Sequence, residues 1–280
     1  MDVCAKLRGI LKERRVGHGG TLDPMATGVL PVFVGNATKA VQFAENGQKE
    51  YLGGLRLGVI TDTQDITGNI LESRFVDNYH ITPERVRDVM KKFTGEIDQI
   101  PPMYSAVKIN GQKLYQLARK GREIPRPPRR VIIYELELLK QENRTDFLFR
   151  CLCSKGTYIR TLCYDLGMAL GCGGALYSLR RTMAAGFHES EAVTLSEIET
   201  ITRESGDCGA FLRPADSLFA AYPAYTAPSP DVERRVLNGN PFRVREPVSN
   251  GIYRVYAQNG AFLCLSDARN GVFTSRKNFF

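Results

Sequence analysis

Between residues 131 and 171 the apolar side chains change period, and that change restricts the fold more than any other feature of the chain. The stretches "VIIYELELL" (131–139) and "DFLFRCLC" (146–153) alternate in the manner of sheet strands, with Phe147, Phe149, Cys151 and Cys153 facing a core. After a turn at 154–156, "TYIRTLCYDLGMALG" is apolar at helical spacing and stops on Gly171. Arg160 falls in the first turn of that helix, where the positive end of the helix dipole and a guanidinium together suit a carboxylate or a phosphate. Similar signals recur along the chain. "DVCAKLRGILKERR" puts Val3, Leu7, Ile10 and Leu11 on one helical face, with Lys6, Arg8, Lys12, Arg14 and Arg15 giving a basic outer side. "ITPERVRDVMKKFTG" has Thr82 as N-cap, Pro83 at the first helical position and Gly95 as its stop. "GVLPVFVG", "YLGGLRLGVI" and "ILESRFV" read as strands. The tail from about residue 222 carries short apolar runs separated by Asn-Gly turns at 238, 250, 259 and 270, the pattern of a small β-barrel.

The 280 residues suffice for a large domain plus a small one, and the formal charge of +8 favours a polyanionic partner, with nucleic acid or a membrane surface sharing that balance. Much of the charge sits in one segment. Residues 100–130 are bounded by Pro pairs and carry Lys108, Lys113, Arg119, Lys120, Arg122, Arg126, Arg129 and Arg130 against Glu123 alone. The seven cysteines have neither zinc-site nor disulfide-framework spacing and read as reduced thiols. No apolar stretch reaches a bilayer-spanning length and the start lacks a signal-peptide segment, so a cytoplasmic protein is expected.

The stretch "RVGHGGTLDPMATGVLPVFVGNATK" (15–39) holds a lone carboxylate, Asp23, ahead of Pro24 and after Gly17, Gly19 and Gly20. Proline pushes its predecessor out of the helical region, so the loop aims Asp23 rigidly; the plainer alternative is that Asp-Pro merely starts a turn. His18 and Asp23 suggest a metal site, yet His80 and His188 stand outside any ligand-spaced cluster. "GHGGTL" lacks the third glycine of a dinucleotide loop, and "GNATK" lacks the glycine directly before lysine that a phosphate-binding P-loop needs. Asp62 and Asp65 in "TDTQDITG" are wrongly spaced for calcium. A carboxylate paired with Arg160 would stay ionised at neutral pH, as a nucleophilic aspartate requires; a structural ion pair is the alternative. Tyr51, near the start of a strand, is either a packed aromatic or a platform for a base.

Taken in order, "GHGGTLDPMATGVLPVFVGNATK", "KEYLGGLRLGVITDTQDITG", "IPPMYSAVKINGQKLYQLARKG" and "CSKGTYIRTLCYDLG…LRR" resemble the TruB family of bacterial tRNA pseudouridine synthases from residue 1 to about residue 194. The resemblance implies an α+β fold around a mixed, largely antiparallel sheet with flanking helices over 1–222, and a PUA-type RNA-binding barrel over 223–280. It implies isomerisation of uridine 55 in the T-loop of tRNA by a monomer, with no cofactor and no metal. Asp23 matches the essential aspartate, Arg160 its ion-pair partner, Tyr51 the tyrosine that stacks on the target base, and Leu179 an apolar pocket residue. His18 matches a histidine that holds the T-loop, and Lys39 the position after "GxAT". The span 100–130 matches a mobile insertion that closes over RNA, which makes Lys108, Lys113, Arg119, Lys120 and Arg122 candidate phosphate contacts. Family members usually begin with a strand and a "KPxGxTS"-like segment that braces the fold, whereas "MDVCAKL" opens inside the first helix. Gly19 stands where relatives commonly have threonine, a change expected to loosen the loop. Two other readings share these residues: a tRNA-folding chaperone with little activity, and a guide-RNA-dependent synthase.

Overall fold

A computed structural model describes residues 2–206 and 209–280. The chain divides into two compact units, one of residues 22–29 and 46–191, the other of residues 1–21, 30–45 and 192–280.

The unit of residues 22–29 and 46–191 is built on a seven-stranded sheet in the order Phe187–His188, Gly174–Ala184, Lys49–Leu57, Asp146–Cys153, Arg129–Gln141, Gly95–Gln99, with Thr27–Gly28 added beside Gly174–Ala184. Every pairing is antiparallel except that of Thr27–Gly28. The alternation in 146–153 sends Phe147, Phe149, Cys151 and Cys153 inward, fully buried. They join a core with Leu162, Leu166 and Leu170 from the helix Ile159–Leu170 and Val86, Val89 and Met90 from the helix Pro83–Lys92. Burying each of the Phe, Leu, Val and Met side chains stabilises the fold by about 1.5–3 kcal/mol. On the opposite side of the central strand, Leu52 is exposed and Glu50 and Arg56 half-buried.

Thr82 caps its helix by accepting from Arg85 N–H. That helix ends at Lys92, and Gly95, with φ of 99°, opens the next strand instead of stopping the helix. Gly171 does end its helix in the left-handed conformation, as the sequence predicts.

In the other unit, Asp2 caps the helix Val3–Leu11, which stops there because Lys12 takes a left-handed conformation. Arg14 and Arg15 therefore lie outside it. The basic outer side is partly occupied, since Lys6 pairs with Glu199 at 2.8 Å and Arg8 donates to the Val16 carbonyl at 3.1 Å. The tail forms a five-stranded sheet in the order Ala224–Thr226, Gly251–Tyr256, Phe262–Arg269, Val272–Asn278, Phe242–Arg243. Among the described residues its two end strands are not paired, so the sheet is a half-barrel and not the closed barrel expected. The residues between those strands fold as a helix, Pro230–Leu237, whose Val232 and Val236 pack into the same core as Phe242 and Phe273. The Asn-Gly pair at 238 follows that helix and turns no hairpin. Cys4, Cys151, Cys153, Cys163, Cys172 and Cys264 are buried free thiols, and Cys208 lies outside the described residues.

Candidate active site

Asp23 sits at the first position of a turn, with Ala26 N–H donating to its carbonyl at 2.9 Å. Asp-Pro does start a turn, and the same turn presents the side chain to Arg160. The arginine donates through Nε to Asp23 Oδ2 at 2.9 Å and through Nη2 to Oδ1 at 3.0 Å, a planar fork on a planar carboxylate. Arg160 is 4% exposed, whereas the Asp23 side chain is 31% exposed. The cation is therefore sunk in the protein while the anion keeps a free side. An incoming molecule can reach Asp23 without displacing its counter-ion.

The rest of the guanidinium is equally constrained. Nη1 donates to the Thr63 carbonyl at 3.0 Å and Nη2 to the Tyr104 carbonyl at 2.9 Å, with Asp65 Oδ2 at 3.9 Å from Nε. Asp65 is buried and accepts from Thr63 Oγ1, Thr67 N–H and Thr67 Oγ1, while Asp62 accepts from Asn69. The "TDTQDITG" loop thus uses its carboxylates to hold itself together behind Arg160. Among the described residues, no three or more of His, Cys, Asp and Glu gather in a way that would hold a metal ion.

Met25 and Ala26, from the Asp23 turn, pack against the core cluster that contains Tyr51 and Leu179. Burial pushes the Tyr51 phenol up to about 12; the Arg181 guanidinium opposes that rise and the Asp23 carboxylate adds to it. Arg181 lies opposite Tyr51 across the two strands, is 1% exposed, and donates through Nε to the Val29 carbonyl at 2.7 Å. An open groove of about 400 Å³ is lined by Met25, Leu52, Ile66, Tyr177 and Leu179, among others. Arg181, Thr63 and Tyr104 join the site without a role predicted from sequence, and Asp65 stands behind Arg160 where the sequence suggests only a wrongly spaced calcium ligand. An arginine inside the apolar run "GALYSLRRTMAA" was the available signal for Arg181; the carbonyls of Thr63 and Tyr104 have none, because any residue supplies a carbonyl.

Lys108, Arg119, Lys120 and Arg122 are exposed on the 100–130 segment, and Lys113 is half-buried. Lys113 and Arg119 both lie over the Tyr115 ring, at 5.7 and 5.3 Å. His18 and Lys39 belong to the other unit. His18 Nδ1 is buried with no hydrogen-bond partner among the described residues, and Lys39 Nζ donates to the Phe280 carbonyl at 2.6 Å. A Cβ on Gly19 would lie 2.7 Å from Ala44 Cβ, so the bare glycine permits a close approach there.

Residues 8–159 match the TruB family pseudouridylate synthase N-terminal domain, and residues 160–220 the tRNA pseudouridylate synthase B C-terminal domain. A relative from Clostridium kluyveri named tRNA pseudouridine synthase B is 37% identical over 99% of this chain and 94% of its own length. One of the same name from Alkaliphilus oremlandii is 48% identical over 71% of this chain and 66% of its own length. A Cbf5-Nop10-Gar1 complex contains a chain with a TM-score of 0.72 at 27% identity, covering all of this chain and 80% of that one. With that match and those relatives, the chain belongs to the TruB family of pseudouridylate synthases.

Proposed function

We propose that this chain is a stand-alone tRNA pseudouridine synthase that isomerises uridine 55 of the T-loop. The observation that carries the proposal is the forked Asp23–Arg160 pair, sunk on the arginine side and open on the aspartate side. The reaction breaks the bond from N1 to the sugar, rotates the base and joins C5 to the sugar carbon. The C5 proton leaves and N1 gains one, so the chemistry is redox-neutral and calls for no cofactor. A base stacked in a folded loop must be flipped out to be reached. Tyr51 and Leu179 provide an aromatic and an apolar wall for it, and Asp23 is the nucleophile, held ready and oriented by Arg160. The raised Tyr51 phenol is neutral at neutral pH, which suits stacking better than removal of the C5 proton as a phenolate.

His18 and Lys39 are proposed RNA contacts, and Lys108, Lys113, Arg119, Lys120 and Arg122 neutralise phosphates. In functional terms residues 1–222 carry catalysis, and residues 223–280 form a PUA-type RNA-binding module. No helix among the described residues is long and apolar enough to cross a membrane. The proposed reading also includes a cytoplasmic location and a monomeric state. Purified protein assayed on an unmodified tRNA transcript tests the reading: isomerisation without accessory components is expected. Tight binding without turnover would indicate a chaperone, and activity only after a guide RNA is added would indicate a guided enzyme.

A further inference from the structure

The basic 100–130 segment is rooted on the helix that carries Arg160. Gln99, the last residue of the strand leading into the segment, is 1% exposed. Its side-chain Oε1 accepts from Tyr158 N–H at 3.0 Å, and its Nε2 donates to the Tyr158 carbonyl at 3.3 Å. Tyr158 is the N-cap residue of the arginine helix, and its own side chain makes no capping hydrogen bond. Gln99 therefore ties down from outside a helix end that lacks a local cap. Five residues further on, the Tyr104 carbonyl accepts from Arg160 Nη2. Tyr104 is fixed in turn, because it packs against the segment's small core of Met103, Leu114 and Leu117, and the next carbonyl, that of Ser105, accepts from Tyr115 N–H.

These contacts act on one rigid group. A guanidinium is planar, so holding the outer hydrogens of Nη1 and Nη2 on Thr63 and Tyr104 fixes the plane in which Nε and Nη2 meet Asp23. We infer that the root of the 100–130 segment, through Gln99 and the Tyr104 carbonyl, sets the angle at which Arg160 grips Asp23. Gln99 is thus a positioning residue for catalysis, and the seating of the segment is transmitted to the ion pair. The inference rests on Asp23 and Arg160 being the reacting pair proposed above. A misplacement of about 1 Å at a reacting group costs about 10²-fold in rate, which sets the size of effect to look for.

The experiment uses the full chain and an unmodified tRNA transcript, with single-turnover release of tritium from C5-labelled uridine and tRNA affinity measured in parallel. Gln99→Met keeps the length and removes both hydrogen bonds, while Gln99→Glu keeps the acceptor and removes the donor. Each is also made in an Arg160→Lys background. At saturating tRNA, Gln99→Met is expected to slow release by about 10–100-fold with affinity within about 3-fold, Gln99→Glu falling between it and wild type. In the Arg160→Lys background the same substitution should cost less than about 3-fold, because the group it acts through has gone. An equally fast Gln99→Met, or an equal loss in both backgrounds, overturns the inference while leaving the functional reading intact. If Gln99→Met does not fold, Gln99→Glu supplies the same comparison. A wild-type chain that binds tRNA and releases no tritium overturns the functional reading, and this inference with it.

Discussion

Arg160 donates to three different chain segments while being almost wholly buried, so its value lies in geometry as much as in charge. Lysine would keep the charge and lose the fork. Arg160→Lys is therefore expected to lower kcat by about 10²-fold and change KM by less than about 3-fold, measured by steady-state tritium release. Asp165, on the same helix, makes the opposite case. Burial pushes its carboxyl up to about 6. A folded-state value above the unfolded one, about 4, means that the folded protein favours the protonated form. The stability this gives is fully present below about pH 4 and is lost as pH rises towards about 6. Asp165→Asn should thus raise Tm at pH 7–8, with the gain vanishing below about pH 4, in thermal melts across that range. Asp146 has the reverse sign, because the fork from Arg56 holds its carboxyl below the ordinary range; its contribution is present above about pH 4 and lost as pH falls through the folded value. At this scale the sequence exposed the residues with distinctive chemistry, Asp23 and Arg160. It did not expose Gln99, an ordinary polar side chain in sequence and fully buried in the fold.

The helix Ile159–Leu170 crosses the sheet at a point where no side chain fits. A Cβ on Gly167 would lie 2.2 Å from Gly174 N and 2.3 Å from Gly173 C, both backbone atoms that cannot rotate away. Helix propensity alone says Gly167→Ala should stabilise by about 1 kcal/mol. Overpacking against backbone should reverse the sign and cost at least about 1–3 kcal/mol, checked by urea denaturation. Periodicity made the strand at 146–153 and the helix after it legible, because one face of each is buried and the other is not. The helix Pro230–Leu237 shows where such reading goes wrong. Ser229 and Pro230 repeat the cap signal that Thr82 and Pro83 gave correctly, but the surrounding Asn-Gly pairs drew the segment into a β pattern. The Ser229 cap and the packing of Val232 and Val236 onto the sheet together favour the helix.

At the scale of the whole chain, the proposed contact of the exposed basic side chains of residues 100–130 with RNA phosphates, on a chain of charge +8, has a measurable signature. The logarithm of tRNA affinity should fall linearly with the logarithm of salt concentration, and Lys120→Ala or Arg122→Ala should each reduce the slope by about 1, with the loss on KM and not on kcat. Filter binding across a salt series measures this. The partition of the chain was the least legible feature, because residues 22–29 belong to one compact unit while the residues on either side of them belong to the other. Linear reading looks for boundaries between contiguous segments, and the short Thr27–Gly28 strand that pairs with Arg180 and Arg181 carries no pattern of its own. The catalytic role of Asp23 is tested most directly by tritium release from C5-labelled uridine in an unmodified tRNA transcript, comparing wild type with Asp23→Asn. The wild type should release tritium without added components, and Asp23→Asn should bind tRNA within about 3-fold yet release tritium at least about 10³-fold more slowly. Release by Asp23→Asn at close to the wild-type rate would contradict the assignment of Asp23 as the nucleophile.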